Sequence, residues 1–208
     1  MKNNDLILKI NSLKKSSIKN IIEKRISEFE NIKNPNDIFS ELCFCLLTAN
    51  FKADKSIEMQ NILFKDFLYS NEMNLAIKLK KLGHRFWEQR AKRIVLARNQ
   101  KVDLIKILKE EKDEEKIRVW IVKNIQGLGL KEASHFLRNI GYKNLAIIDF
   151  HIINILIKYS FISELKSLTP RRYLEIENIL KEISLKTKLN LAKLDLYLWY
   201  MDTGKVLK

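Results

Sequence analysis

At 208 residues, 46% hydrophobic and 31% charged, the chain suits one compact unit or two packed lobes. Only 5 glycines and 2 prolines punctuate it, too few for a β-sandwich, a β-barrel or a disordered chain. A formal net charge of +14 points to a polyanionic partner, nucleic acid first, although a lysine-rich surface that only aids solubility would give the same total.

The opening stretch MKNNDLILKINSLKK lacks the continuous apolar core and small-residue cleavage site of a signal peptide. No apolar run approaches the roughly 18 residues of a membrane span, so a cytoplasmic protein with no membrane partner is expected. Leu6, Ile10 and Leu13, then Ile18 and Ile22, recur at helical spacing. After Pro35, a helix capped by Asn36 or Asp37 carries Phe39, Leu42, Phe44 and Leu46. Cys43 and Cys45 lie within it on nearly opposite faces, where they cannot bridge each other or share a metal, and read as free core thiols. His84, His135 and His151 are scattered without ligand spacing, so no metal and no cofactor are expected.

Further helices start near Asp54 and at Ser70 or Asn71, the second running through Leu75, Ile77, Leu79 and Leu82 to Gly83. A basic helix through Ile94 and Leu96 follows. From Lys78 to Lys101 nine basic residues, among them Arg85, Arg90 and Arg93, face a single acid, Glu88, which reads as a docking stripe. By contrast KEEKDEEK, residues 109–116, mixes its signs as a solvated turn does. Another helix spans about Glu114 to Ile125. Thr169-Pro170 opens one through Tyr173, Ile176, Ile179 and Leu180, and Asn190 precedes the last, LAKLDLYLWYM. With no strand pair and no repeat, the expectation is an all-α fold of about ten helices.

The informative stretch is VKNIQGLGLKEASHFLRNI, Val122 to Ile140. It reads as a helix, a tight Gln126-Gly127-Leu128-Gly129 hairpin and a second helix from Leu130. Alternate glycines permit positive φ and a close backbone approach, and the N–H groups of the hairpin and the next helix's first turn form an anion site. A plain helix–helix turn would use the same residues. Lys131 stands at the positive end of the second helix, where a cation adds little stability, so it is either a phosphate ligand or a nucleophile. Eighteen residues on, Asp149 follows the apolar run Ala146-Ile147-Ile148. As an acid at a helix start it is a good N-cap, and it is equally placed to stabilise positive charge developing on a sugar.

Gly127, Gly129, Lys131 and Asp149 together resemble the signature of the helix-hairpin-helix DNA glycosylase superfamily. The stretches ELCFCLLTANFKA, LGHRFWEQRAKRIVLAR, KEASHFLRNIGY, YLEIENIL and LDLYLWYMDTGKVLK extend the resemblance over most of the chain. They are most similar to the short archaeal-type 8-oxoguanine DNA glycosylase/AP lyases, the second Ogg class. One departure is Phe150, where that class leads one to expect a basic residue.

The resemblance implies a single unit over residues 1–208, hairpin at about 116–140, built as two packed helical lobes with the active site between them. It implies a monomeric, DNA-associated base-excision repair enzyme acting on double-stranded DNA containing 8-oxoguanine. Lys131 would form a Schiff base with the sugar, assisted by Asp149, and β-elimination would nick the strand. Phe86 and Trp199 would sandwich the flipped base, core packing being the competing role. The α-carboxylate of Lys208, or a nearby main-chain carbonyl, would accept from the lesion's N7–H, unless the terminus is a frayed tail. Asn50 would fill the vacated stack. Arg85, Arg90, Arg93, Gly127 and Gly129 would touch DNA. His151 would contact a phosphate or be an ordinary buried, hydrogen-bonded histidine. Related enzymes with an iron–sulfur cluster carry four C-terminal cysteines; none follows Cys45 here, so no cluster is expected. A glycosylase for another lesion and a non-catalytic DNA-binding module remain as alternatives.

Overall fold

Side-chain caps start six of the helices. The computed structural model describes residues 2–208. Its helices are α1 (Lys2–Leu13), α2 (Ile18–Glu30), α3 (Pro35–Thr48), α4 (Ala53–Tyr69), α5 (Glu72–Lys81), α6 (Trp87–Asn99), α7 (Lys101–Glu110), α8 (Glu114–Asn124), α9 (Leu130–Asn139), α10 (Phe150–Lys158), α11 (Pro170–Thr187) and α12 (Leu191–Thr203). Among the described residues there is no strand. Asn71, Asp149, Thr169 and Asn190 each accept a first-turn N–H, as the sequence leads one to expect, and Asp113 does the same for α8.

Two expectations need correction. The cap of α3 is Asn34, which accepts from Asn36 N at 2.8 Å, and not Asn36 or Asp37. Pro35 takes the first helical position, where its missing N–H is no loss, so the cap must precede it. Among the described residues there are also twelve helices in place of about ten. α6 gives way to α7 at Gln100, a break with no glycine or proline to announce it.

The chain divides into two compact units. Ile32–Ile140 holds α3 to α9, centred on α3, whose residues Leu42 to Leu47 are wholly buried. α4, α6 and α9 pack around it. The other unit combines the segment up to Asn31 with Gly141–Lys208. Its core joins Ile22, Ile26 and Phe29 of α2 to Ala192, Leu196 and Tyr197 of α12. Side chains of this size contribute about 1.5–3 kcal/mol each when buried, so each unit has a core of its own. Val206, beyond the end of α12, packs on this cluster and ties down the C-terminal tail.

Candidate active site

In the unit 32–140 the hairpin is built as the glycines suggest. Gly127 has φ +97°, and a Cβ there would stand 2.5 Å from Arg93 Cδ. Gly127 therefore makes the turn and also gives room for Arg93 of α6 to lie across it. Gly129 is extended and offers no capping side chain, so Glu132 reaches back to accept from Gly129 N at 3.3 Å. Lys131, second residue of α9, keeps its Nζ 3.6 Å from Glu132 Oε1, with side chains 27% and 19% exposed. Its side chain is thus half-buried with the amine beside a carboxylate, in a first turn whose N–H groups have no carbonyl to bond within the helix.

Buried polar groups hold α9 in place. Arg118 of α8 donates to Ser134 Oγ at 3.2 Å. Asn139 Nδ2 and Gln60 Nε2 each donate to the buried carboxylate of Glu41 at 2.9 Å, linking α9, α4 and α3. The sequence offers one clue to this network: a lone acid opening the apolar run ELCFCLL. Cys43 and Cys45 in that run are buried free thiols, and burial pushes both well above the usual thiol range.

A second cluster forms where α3 ends and α6 begins. Asn50 takes a left-handed φ of +58°, and Arg85 Nη2 donates to its carbonyl at 3.0 Å. The Arg85 guanidinium lies 4.5 Å from the centroid of the Phe86 ring. His84 is wedged beneath. Its Nε2 bonds Leu47 O at 3.0 Å, its Nδ1 accepts from Phe86 N at 3.1 Å, and Phe51 stacks on it at 4.2 Å. That pattern requires the neutral ring with its proton on Nε2. Burial, foremost, pushes the His84 pKa down. Sequence reasoning assigned His84 no such part in seating Phe86.

The basic stripe is not one face. Arg90 is only 2% exposed and donates to Ala49 O at 2.5 Å, so it braces the end of α3 and is not open to a phosphate. Burial also lowers its pKa. Arg98 donates to the carbonyls of Phe67, Asp66 and Ser70, and Lys78 pairs with Asp66 at 2.6 Å. Helical periodicity divides a run of basic residues between core and surface, which a count along the chain misses. Lys80, Lys81, Arg85 and Lys92 remain exposed, with Arg93 half-buried at the hairpin.

In the other unit, Asp149 is the N-cap of α10 and its Oδ1 accepts from Ile152 N at 3.0 Å. The segment leading to it, Leu145–Ile148, is buried without being helical, so its backbone needs partners from elsewhere. α11 supplies them. Glu177 accepts from Ala146 N at 2.8 Å, while Tyr173 Oη donates to Ala146 O at 2.6 Å and takes Ile148 N at 3.4 Å. Beside Asp149, His151 Nδ1 bonds Asp202, and its ring meets Trp199 edge-on at 4.4 Å. Trp199 is half-buried at the surface of α12 and Lys208 is half-buried in the tail. Among the described residues, no group of three or more His, Cys, Asp or Glu side chains could hold a metal ion, and no helix is long and apolar enough to cross a membrane.

A family model described as 8-oxoguanine DNA glycosylase, of the Ogg helix-hairpin-helix type, matches residues 22–189. The 8-oxoguanine DNA glycosylase/AP lyase of Korarchaeum cryptofilum is 50% identical over 205 residues, covering 98% of each chain. That of Methanocaldococcus jannaschii is 52% identical over 207 residues, covering 98% of this chain and 99% of the other. Among solved structures, the M. jannaschii glycosylase/lyase in complex with a 15mer DNA containing 8-oxoguanine superposes with a TM-score of 0.94 at 50% identity, over 98% and 99% of the two chains. The Thermotoga maritima 8-oxoguanine DNA glycosylase gives 0.92 at 36% identity, over 99% and 100%.

Proposed function

The chain belongs to the 8-oxoguanine DNA glycosylase family of the helix-hairpin-helix type, and from that premise we propose how its own residues carry out the reaction. It is a bifunctional DNA glycosylase/AP lyase of base-excision repair that acts on DNA containing 8-oxoguanine.

The observation that carries the assignment of residues is Lys131, the half-buried amine that follows the Gly127–Gly129 hairpin. The flipped nucleotide brings C1′ to Lys131 Nζ. The neutral amine attacks C1′, the glycosidic bond breaks, and the base leaves with the electron pair and takes up a proton. Opening of the sugar gives a Schiff base. Loss of a C2′ proton then breaks the C3′–O bond and cuts the strand. Asp149 uses one oxygen as a cap and turns its charge on the positive sugar. Phe86, steadied by Arg85 and His84, and Trp199, against His151, sandwich the base. An acceptor in the tail around Lys208, such as a main-chain carbonyl, takes the lesion's N7–H, which normal guanine lacks.

The hairpin N–H groups with Arg93 and Arg85 hold phosphates, and Asn50 fills the gap left in the duplex. His151 has Nδ1 committed to Asp202, so Nε2 is the atom it offers to a phosphate. The enzyme works as a cytoplasmic monomer without a cofactor or an iron–sulfur cluster. Borohydride trapping tests the central step. Wild type should cross-link to an 8-oxoguanine duplex, while Lys131→Gln should bind the duplex within a few-fold and form no adduct. An adduct with Lys131→Gln would assign the nucleophile to another amine.

A further inference from the structure

Of the ten phenylalanines, Phe150 alone is exposed, at 65%. It is the first residue of α10, directly after Asp149. Its ring is not loose: it rests on His151 at a centroid distance of 3.8 Å and a tilt of 35°. His151 is itself fixed by Asp202 and by the edge contact with Trp199. One face of Phe150 is therefore seated on a braced ring while the rest is open to water. The first turn of α10, Phe-His-Ile-Ile, contains no lysine or arginine, so its positive field comes from backbone N–H groups alone. An aromatic ring held in place beside a reactive carboxylate in a DNA-binding protein is a stacking platform.

We infer that Phe150 is a DNA-contacting residue, its open ring lying on the nucleotide next to the excised one and supplying an uncharged contact at the rim of the site. The inference rests on the assignment of Asp149 to the sugar chemistry. Such a contact positions the strand at Asp149 and adds nothing to the salt dependence, because it releases no counterion.

The test is equilibrium binding to duplexes with a tetrahydrofuran abasic analogue at the lesion position, measured across a salt series, beside single-turnover excision of 8-oxoguanine. Phe150→Ala should weaken binding about tenfold with the slope of log K against log[salt] unchanged. Phe150→Tyr should bind as wild type does. Phe150→Lys should regain affinity at low salt with a slope steeper by about 0.9. Removing the base of the neighbouring nucleotide should abolish the difference between wild type and Phe150→Ala if the ring meets that base, and preserve it if the ring meets the sugar. The melting temperature of Phe150→Ala should stay at the wild-type value. Binding of Phe150→Ala within twofold of wild type, or a loss accompanied by a shallower slope, would overturn the inference. A wild type that excises no 8-oxoguanine would instead overturn the reaction assigned to the site, and it would do so in an arm that contains no Phe150 variant.

Discussion

Lys131 and Asp149 are carried by two differently made pieces of backbone. Lys131 rides on α9, a regular helix whose main-chain groups beyond the first turn satisfy one another. Its buried contacts through Ser134 and Asn139 fix where the helix lies, not whether it forms. Asp149 ends a buried, non-helical strap, and the strap is bonded by Tyr173 and Glu177, more than twenty residues away. Losing a buried contact on α9 costs stability; losing one on the strap frees the backbone that aims the carboxylate. A reactive group on a helix is held by its own segment, whereas one on a strap is held by another segment's side chains.

The largest effect should come at the carboxylate itself. Asp149→Asn keeps an oxygen for the Ile152 N–H and removes the charge, so excision should fall about a hundred- to a thousandfold in single-turnover assays. Duplex affinity should stay within a few-fold. If the variant excises at the wild-type rate, Asp149 is a cap only and the comparison loses one of its two poles.

The comparison sharpens with a matched pair of changes at buried carboxylates. Glu41→Leu takes the carboxylate acceptor from Asn139 and leaves Gln60 with Ser40 alone, and Glu177→Leu leaves the Ala146 N–H without an acceptor. Each should cost about 2–3 kcal/mol, a fall of roughly 4–12 °C in melting temperature. Activity per folded molecule should separate them: within about threefold of wild type for Glu41→Leu, down at least about tenfold for Glu177→Leu. Glu177→Gln keeps the acceptor and should recover most of both losses. Equal catalytic losses in the two leucine variants would show that helix and strap respond alike.

How much of this was legible in the sequence follows from the same distinction. Gly127, Gly129 and Lys131 are neighbours in the chain, and their spacing alone describes the hairpin, because a helix–turn–helix is a local object. Asp149 as a cap was equally legible, since capping needs only the next three residues. The strap's dependence on Tyr173 and Glu177 was not, because those residues sit at core positions of an ordinary amphipathic helix. Arg90 was misread for a related reason. A guanidinium looks like surface until the fold aims it at the Ala49 carbonyl. Its neighbour Arg93, three residues on, lies across Gly127 instead.

That neighbouring pair yields the next test. Arg90→Met should destabilise the protein by about 1–3 kcal/mol and leave the salt slope of DNA binding unchanged, because it loses a buried hydrogen bond. Arg93→Met should melt near wild type and make the slope shallower by about 0.9, the loss of one phosphate contact. If both variants flatten the slope, the division of the basic stripe into brace and contact is wrong.

The smallest effect concerns pH at the Phe86 cluster. His84 is held neutral, its Nε2–H donating to Leu47 O and its Nδ1 accepting from Phe86 N, and its folded pKa lies below the ordinary histidine value near 6.5. The unfolded chain therefore binds a proton there at a pH where the folded chain does not, so stability rises with pH across that interval. Above about pH 7 both states are neutral and this contribution is complete; as pH falls below the unfolded value it is progressively lost. Wild type should melt lower at pH 5 than at pH 7.5 through this site. His84→Gln should melt lower at pH 7.5, having lost its fit between Leu47 and Phe86, yet lose less than wild type on acidification. The same acidification should leave the melting of Glu177→Leu parallel to wild type, because His84 acts at the seat of Phe86 and not on the strap. A wild-type pH profile that His84→Gln reproduces without change would mean that the ring beneath Phe86 takes up its proton in the folded protein as readily as in the unfolded chain.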